Sequence, residues 1–218
     1  YTSTPIMTAE RNIKPHYWLR ALKHLQSNDP VLSNLINKHR SKSYLTSTNS
    51  IFVTLTKIII GQQISIEVAN SIETRIRKLL GKIDPKKILA TPDQKLRNCG
   101  LSFRKVTYIK GVAEIIKSKP SFFSKLEEMD DADAIKELVK LYGIGLWSAE
   151  MFLIFHLNRQ NILPLGDIGL INSYCKNYKI NRNDFIKKIT KTRKLWEPYC
   201  TVATWYLWRD IDEDVVQY

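Results

Sequence analysis

The chain has 218 residues, 44% of them hydrophobic, with 34 Lys and Arg against 21 Asp and Glu and a formal net charge of +13. That apolar fraction excludes a disordered chain and suits one domain or two small lobes, while the cationic surplus favours a polyanionic partner. Three widely spaced cysteines, Cys99, Cys175 and Cys200, argue against a disulfide framework, and the lack of a membrane-spanning apolar run or a signal-peptide core makes the expectation an intracellular protein, in cytoplasm, nucleoid or nucleus, with no membrane partner.

Apolar spacing along the chain is almost wholly helical. The Ser- and Thr-rich stretch Ser41 to Ser50 reads as a connector, with Thr48 or Asn49 as N-cap of an Ile51 to Ile60 helix. Gln62 and Gln63 follow Gly61 as polar residues between two apolar helices. Ser65 caps the next helix, whose apolar face is Ala69, Ile72, Ile76 and Leu79. Breaks at Asp84-Pro85 and Thr91-Pro92 precede a helix carrying Val106, Ile109, Ala113 and Ile116, and Lys119-Pro120 ends it. Arg104 and Lys105, at its start, could add salt-dependent attraction for a polyanion, but a solvated basic face is the commoner reading of such a pair. Asn-Gly, Asp-Gly and Gly-Gly do not occur, which argues against a large sheet.

The most informative stretch comes next. Asp131 to Leu141 places Ala134, Leu138 and Leu141 at helical spacing, and Leu146 to Phe155 is apolar enough for a buried helix. Between them, Tyr142-Gly143-Ile144-Gly145 makes a tight turn whose bare amides can approach a phosphate. After a break at Leu163-Pro164, Asp167 stands between Gly166 and Gly169 as N-cap of an Ile168 to Tyr178 helix. Leu163, Leu165, Ile168 and Leu170 around it limit solvation of its carboxylate.

The hairpin with Asp167 resembles the helix-hairpin-helix DNA glycosylase superfamily. Other blocks, in order, are similar to its 3-methyladenine DNA glycosylase II branch: His24-Leu25 with Asp29-Pro30, Ile58-Ile59-Ile60-Gly61-Gln62-Gln63-Ile64-Ser65, and Cys99-Gly100-Leu101-Ser102-Phe103-Arg104-Lys105 with Tyr108-Ile109. Trp196-Glu197-Pro198-Tyr199 with Trp205-Tyr206-Leu207-Trp208-Arg209 completes the series. The resemblance runs from His16 to Arg209. Tyr142 stands where the family usually has Pro, and Cys200 where it usually has Arg.

The resemblance implies an all-α, two-lobed helix-hairpin-helix glycosylase fold with the active-site cleft between the lobes. Residues 49–160 would form the central lobe carrying the hairpin, and residues 1–48 would pack with residues 161–218 in the other. It implies base flipping and hydrolysis of the N-glycosidic bond of alkylated purines in double-stranded DNA by a monomer. Asp167 would be catalytic, Gln63 would fill the vacated stack with Gln62 supporting it, and Trp147, Trp208, Met151 and Trp205 would line the base pocket. Gly143, Gly145 and Ser148 would hold a phosphate, and the carbonyls of Val139, Leu141 and Ile144 a sodium, potassium or magnesium ion. Bifunctional relatives carry a Lys where this chain has Trp147, and others carry four clustered cysteines for an iron–sulfur cluster. The expectation is therefore a monofunctional enzyme with no catalytic cofactor. Alternatives are a noncatalytic lesion-binding protein and a glycosylase for neutral lesions such as hypoxanthine or ethenoadenine.

Overall fold

The computed structural model describes residues 14–39, 44–46 and 50–211, and every regular element among them is helical. In chain order these are α1 (Trp18–Asn28), α2 (Pro30–Lys38), α3 (Ile51–Gly61), α4 (Ile66–Leu80), α5 (Pro85–Ala90), α6 (Asp93–Asn98) and α7 (Phe103–Ser118). They continue with α8 (Ser121–Glu128), α9 (Asp131–Leu138), α10 (Leu146–Phe155), α11 (Ile168–Asn177), a 3-10 turn at Arg182–Asp184, α12 (Phe185–Trp196) and α13 (Cys200–Ile211). No helix among the described residues is long and apolar enough to cross a membrane.

α2, α3, α4, α5, α7, α9 and α11 start where a side-chain oxygen takes up orphan amides. Asp29 accepts from the amides of Val31 and Leu32 at 2.9 and 3.2 Å, and Pro30 follows at the first helical position. The same carboxylate, buried, also accepts from the Trp196 indole at 2.8 Å and from the Tyr178 hydroxyl, which fastens the start of α2 to α12 and the end of α11. Ser65 caps α4 as expected. The cap of α3 is Ser50, not Thr48 or Asn49, which lie outside the described residues. On α4, Ile72 and Ile76 are buried, but Leu79 is 41% exposed and Leu80, four residues after Ile76, packs against the core in its place.

α1, α2, α11, α12 and α13 pack on one another, and α3 through α10 form a second connected set around α3 and α7. The two sets meet along α10, where Phe155 stacks on Trp208 of α13 with ring centroids 5.9 Å apart and planes 9° from parallel. Every residue of α10 from Ser148 to Phe155 is buried, as its densely apolar composition predicts. α9 stops at Leu138, three residues before the expected Leu141. There Lys140 and Leu141 donate to the carbonyls of Glu137 and Leu138, a tighter winding that turns the chain into the hairpin.

Candidate active site

Gly143 has φ +86°, and a Cβ there would fall 2.2 Å from the Tyr108 ring. Glycine is required twice, by conformation and by the aromatic floor beneath it. Tyr142, which departs from the proline usual at this point of the hairpin, is 70% exposed and sets its ring edge-on to Tyr108 at 5.0 Å. Gly145 is the N-cap of α10, with no side-chain cap and open space where a Cβ would go. The first amides of α10 therefore face outward without a capping oxygen, the arrangement that attracts an anion. The carbonyls of Val139 and Ile144 accept no hydrogen bond among the described residues, and that of Leu141 accepts one, from the Ile144 amide at 3.0 Å. Each keeps a lone pair that a cation of the alkali or alkaline-earth type can use.

Ser148 departs from its expected role. It is 3% exposed, and its hydroxyl faces inward to accept from Gln62 Nε2 at 2.9 Å, because the third residue of α10 lies on the face packed against α3. Gln62 also donates to the Gly143 carbonyl at 2.9 Å, so the loop after α3 is tied directly to the hairpin. Gln63, next along, is exposed with φ +58°. A left-handed glutamine is an uncommon, strained state that its surroundings must maintain. Lys105 supplies part of that support, its ammonium donating to the carbonyls of Ile60 and Gln62 at 2.7 and 2.8 Å, and burial lowers its pKa. Arg104 is exposed, as the reading of a solvated basic face requires, whereas Lys105 is a loop anchor that sequence reasoning missed. Nothing near Lys105 in the chain points to a carbonyl pair more than forty residues upstream.

Asp167 caps α11 by accepting from the Leu170 amide at 2.7 Å. Its Oδ1 also accepts from the Trp208 indole at 2.8 Å, and its Oδ2 from the Trp147 indole at 2.9 Å. Both expected pocket indoles thus turn their N–H edges to one carboxylate, which fixes the planes of their rings. Gly169 allows this crowding, since a Cβ there would lie 3.1 Å from Asp167 Oδ1 and 3.2 Å from Trp208. Met151 and Trp205 are each 1% exposed, more deeply buried than the two indoles that bond Asp167. Trp205, one turn before Trp208, packs edge-on against Trp18 at 5.2 Å under the Arg209 guanidinium.

One further carboxyl belongs to this neighbourhood. Glu150, 9% exposed, is the one ionisable residue in the apolar run of α10. Burial, and then the charge of Asp167, push its pKa up to about 7. A lone acid in a buried helix is a signal that local sequence does carry, because such a charge is retained only where something compensates it.

Residues 56–198 match the family described as HhH-GPD superfamily base excision DNA repair protein. A DNA-3-methyladenine glycosylase of Saccharomyces cerevisiae is 29% identical over 213 residues, spanning 90% of this chain and 72% of the relative. Among solved structures, a Schizosaccharomyces pombe 3-methyladenine DNA glycosylase in complex with abasic DNA is similar with a TM-score of 0.76 and 25% identity, over 91% of this chain and 98% of that one. A Bacillus halodurans DNA-3-methyladenine glycosidase is similar with a TM-score of 0.69 and 33% identity, over 87% and 88% of the two chains.

Proposed function

The chain belongs to the HhH-GPD superfamily of base excision DNA repair proteins, and from that membership we propose that it is a monofunctional glycosylase, acting as a monomer, that releases alkylated purines of the 3-methyladenine and 7-methylguanine type from double-stranded DNA. The observation that carries the reading is Asp167, held by two indoles at the seam where the hairpin-bearing helices meet α13. In the reaction, the C1′–N bond breaks with its electron pair leaving on the cationic base, which departs neutral, and the sugar acquires oxocarbenium character. Asp167 stabilises that charge and orients a water whose oxygen bonds C1′ as its proton is lost to the carboxylate or to solvent. The faces of Trp147 and Trp208 stack on the extruded base, adding about 0.5–2 kcal/mol for a cationic ring over a neutral one. The amides of Gly143 and Gly145 hold a backbone phosphate. A sodium, potassium or magnesium ion on the carbonyls of Val139, Leu141 and Ile144 would lend positive charge beside it.

Methylated duplex DNA incubated with the protein releases free 3-methyladenine and 7-methylguanine, and the strands stay whole until alkali or heat is applied. Borohydride added during turnover traps no protein–DNA adduct. A Schiff base needs an amine at the sugar; the position where bifunctional relatives carry Lys is Trp147, and no Lys lies between Leu141 and Asp167. Efficient trapping would overturn the monofunctional reading, and DNA binding without base release would leave a lesion-binding protein.

Gln63 is the wedge that occupies the vacated stack, with Gln62 and Lys105 holding its loop. Gln63→Ala weakens binding to an abasic duplex by about tenfold, a loss of roughly 1.4 kcal/mol, and leaves binding to undamaged duplex within about twofold. Equal losses on both DNAs, measured by fluorescence anisotropy at one salt concentration, would reduce Gln63 to a general contact.

A further inference from the structure

The Ile144 amide closes the turn of the hairpin by donating to the Leu141 carbonyl at 3.0 Å, and Gly143, third in the turn, has φ +86°. A four-residue turn with a left-handed glycine third favours proline second, because its fixed φ preorganises the bend. Tyr142 holds that second place without the ring constraint. Its support is external. The Tyr142 ring stands edge-on to Tyr108, with centroids 5.0 Å apart and planes 86° apart, and the same Tyr108 ring is the surface directly beneath Gly143. One aromatic side chain thus seats both the glycine backbone and the Tyr142 ring. Even so, Tyr142 is 70% exposed, more than any other large apolar side chain among the described residues.

The surroundings are short of cations. No Lys or Arg occurs from Leu141 to Asn158. On the arm that leads into the hairpin, Lys136 pairs with Asp133 at 2.7 Å and Lys140 pairs with Glu137. Gly145 opens α10 three residues after Tyr142, with no side-chain oxygen on its first amides. An anion on those amides therefore meets neutral donors. Of the residues from Leu141 to Gly145, Tyr142 alone carries a side chain that can donate a hydrogen bond.

We propose that Tyr142 is a further DNA-backbone contact of this chain, its hydroxyl donating to a phosphate oxygen of the strand seated on the hairpin while Tyr108 holds the phenol in place. The inference rests on the reading of the Gly143 and Gly145 amides as a phosphate site. The bond is polar and uncharged, so it adds affinity without releasing a counterion. Phosphates carry no base identity, so damaged and undamaged strands gain alike. Proline in the same place would keep the turn and forgo the contact.

A cycle of protein and DNA substitutions tests this by fluorescence anisotropy, on a duplex with one tetrahydrofuran abasic site. Tyr142→Phe keeps the ring and its edge contact and removes the hydroxyl. It weakens binding about fivefold, the scale of one hydrogen bond, leaves the slope of log affinity against log salt unchanged, and melts with the native protein. Stereochemically pure methylphosphonates are then placed one at a time on either side of the abasic site. The one that puts a methyl group where the phenol bonds weakens the native protein and brings it level with Tyr142→Phe; at the other positions the fivefold gap persists. Tyr142→Phe binding as tightly as the native protein, or a gap that survives every methylphosphonate, overturns the proposal. Gly145→Ala in the same assay reports on the amide site itself: native affinity there would sink the phosphate reading of the hairpin, whereas a loss there with none in Tyr142→Phe removes Tyr142 alone. None of these affinities requires excision.

Discussion

Asp167→Asn slows base release about a thousandfold or more, the scale on which a fixed transition-state charge acts, while abasic DNA is still bound. The substitution removes the negative charge proposed to face the developing sugar cation and keeps the shape. The amide oxygen remains able to cap the Leu170 amide and to accept from Trp208. The amide nitrogen then confronts the Trp147 indole, which now donates at 2.9 Å. Loss of that bond costs about 1 kcal/mol, too little to unfold the protein. Single-turnover base release at saturating protein, read beside a thermal melt, separates chemistry from folding. A folded variant that excises at the native rate would remove Asp167 from the mechanism.

Gly143→Ala destabilises the protein by about 3 kcal/mol, near the upper end for point substitutions, or ~6–12 °C in Tm at this chain length, and abolishes binding to lesion and undamaged duplex alike. Its Cβ would sit 2.2 Å from the Tyr108 ring, on a backbone with φ +86° that alanine rarely adopts. Relief by movement of the hairpin would also disturb the Gly143 carbonyl that holds Gln62, and with it the loop after α3. Gly145→Ala is the contrast. Open space surrounds that position, so Tm changes by less than ~2 °C, about 0.5 kcal/mol, and DNA affinity alone falls as the added methyl blocks a phosphate. Pairing Gly143→Ala with Tyr108→Ala removes the clash but not the φ strain of about 1 kcal/mol, so DNA binding recovers only in part. Equal melting temperatures for the two single variants would refute the structural distinction between these glycines.

What the sequence determines by itself is local. The all-helical character follows from apolar residues three and four apart. The hairpin is legible because Gly-x-Gly between two such runs leaves few conformations, and Asp167 because capping is settled within four residues. Burial of α10 is legible in its densely apolar composition. Tertiary structure decides which of two compatible roles each side chain takes. Ser148 turns inward to Gln62, more than eighty residues away in sequence, Lys105 crosses to the end of α3, and Trp205 joins Trp18 in the core while Trp208, one turn later, reaches Asp167. Periodicity assigns a face to a helix but not the neighbour of that face, and a rotation of 60° separates a core tryptophan from a site tryptophan. The end of α9 shows the same limit, since Leu141 keeps helical spacing yet leaves the helix to enter the hairpin. Glu150 lies between the two cases: its oddity is visible in one apolar segment, but its meaning depends on Asp167, which only folding brings near. A buried charge is costly or useful according to the charges around it, and those are fixed by contacts between distant parts of the chain.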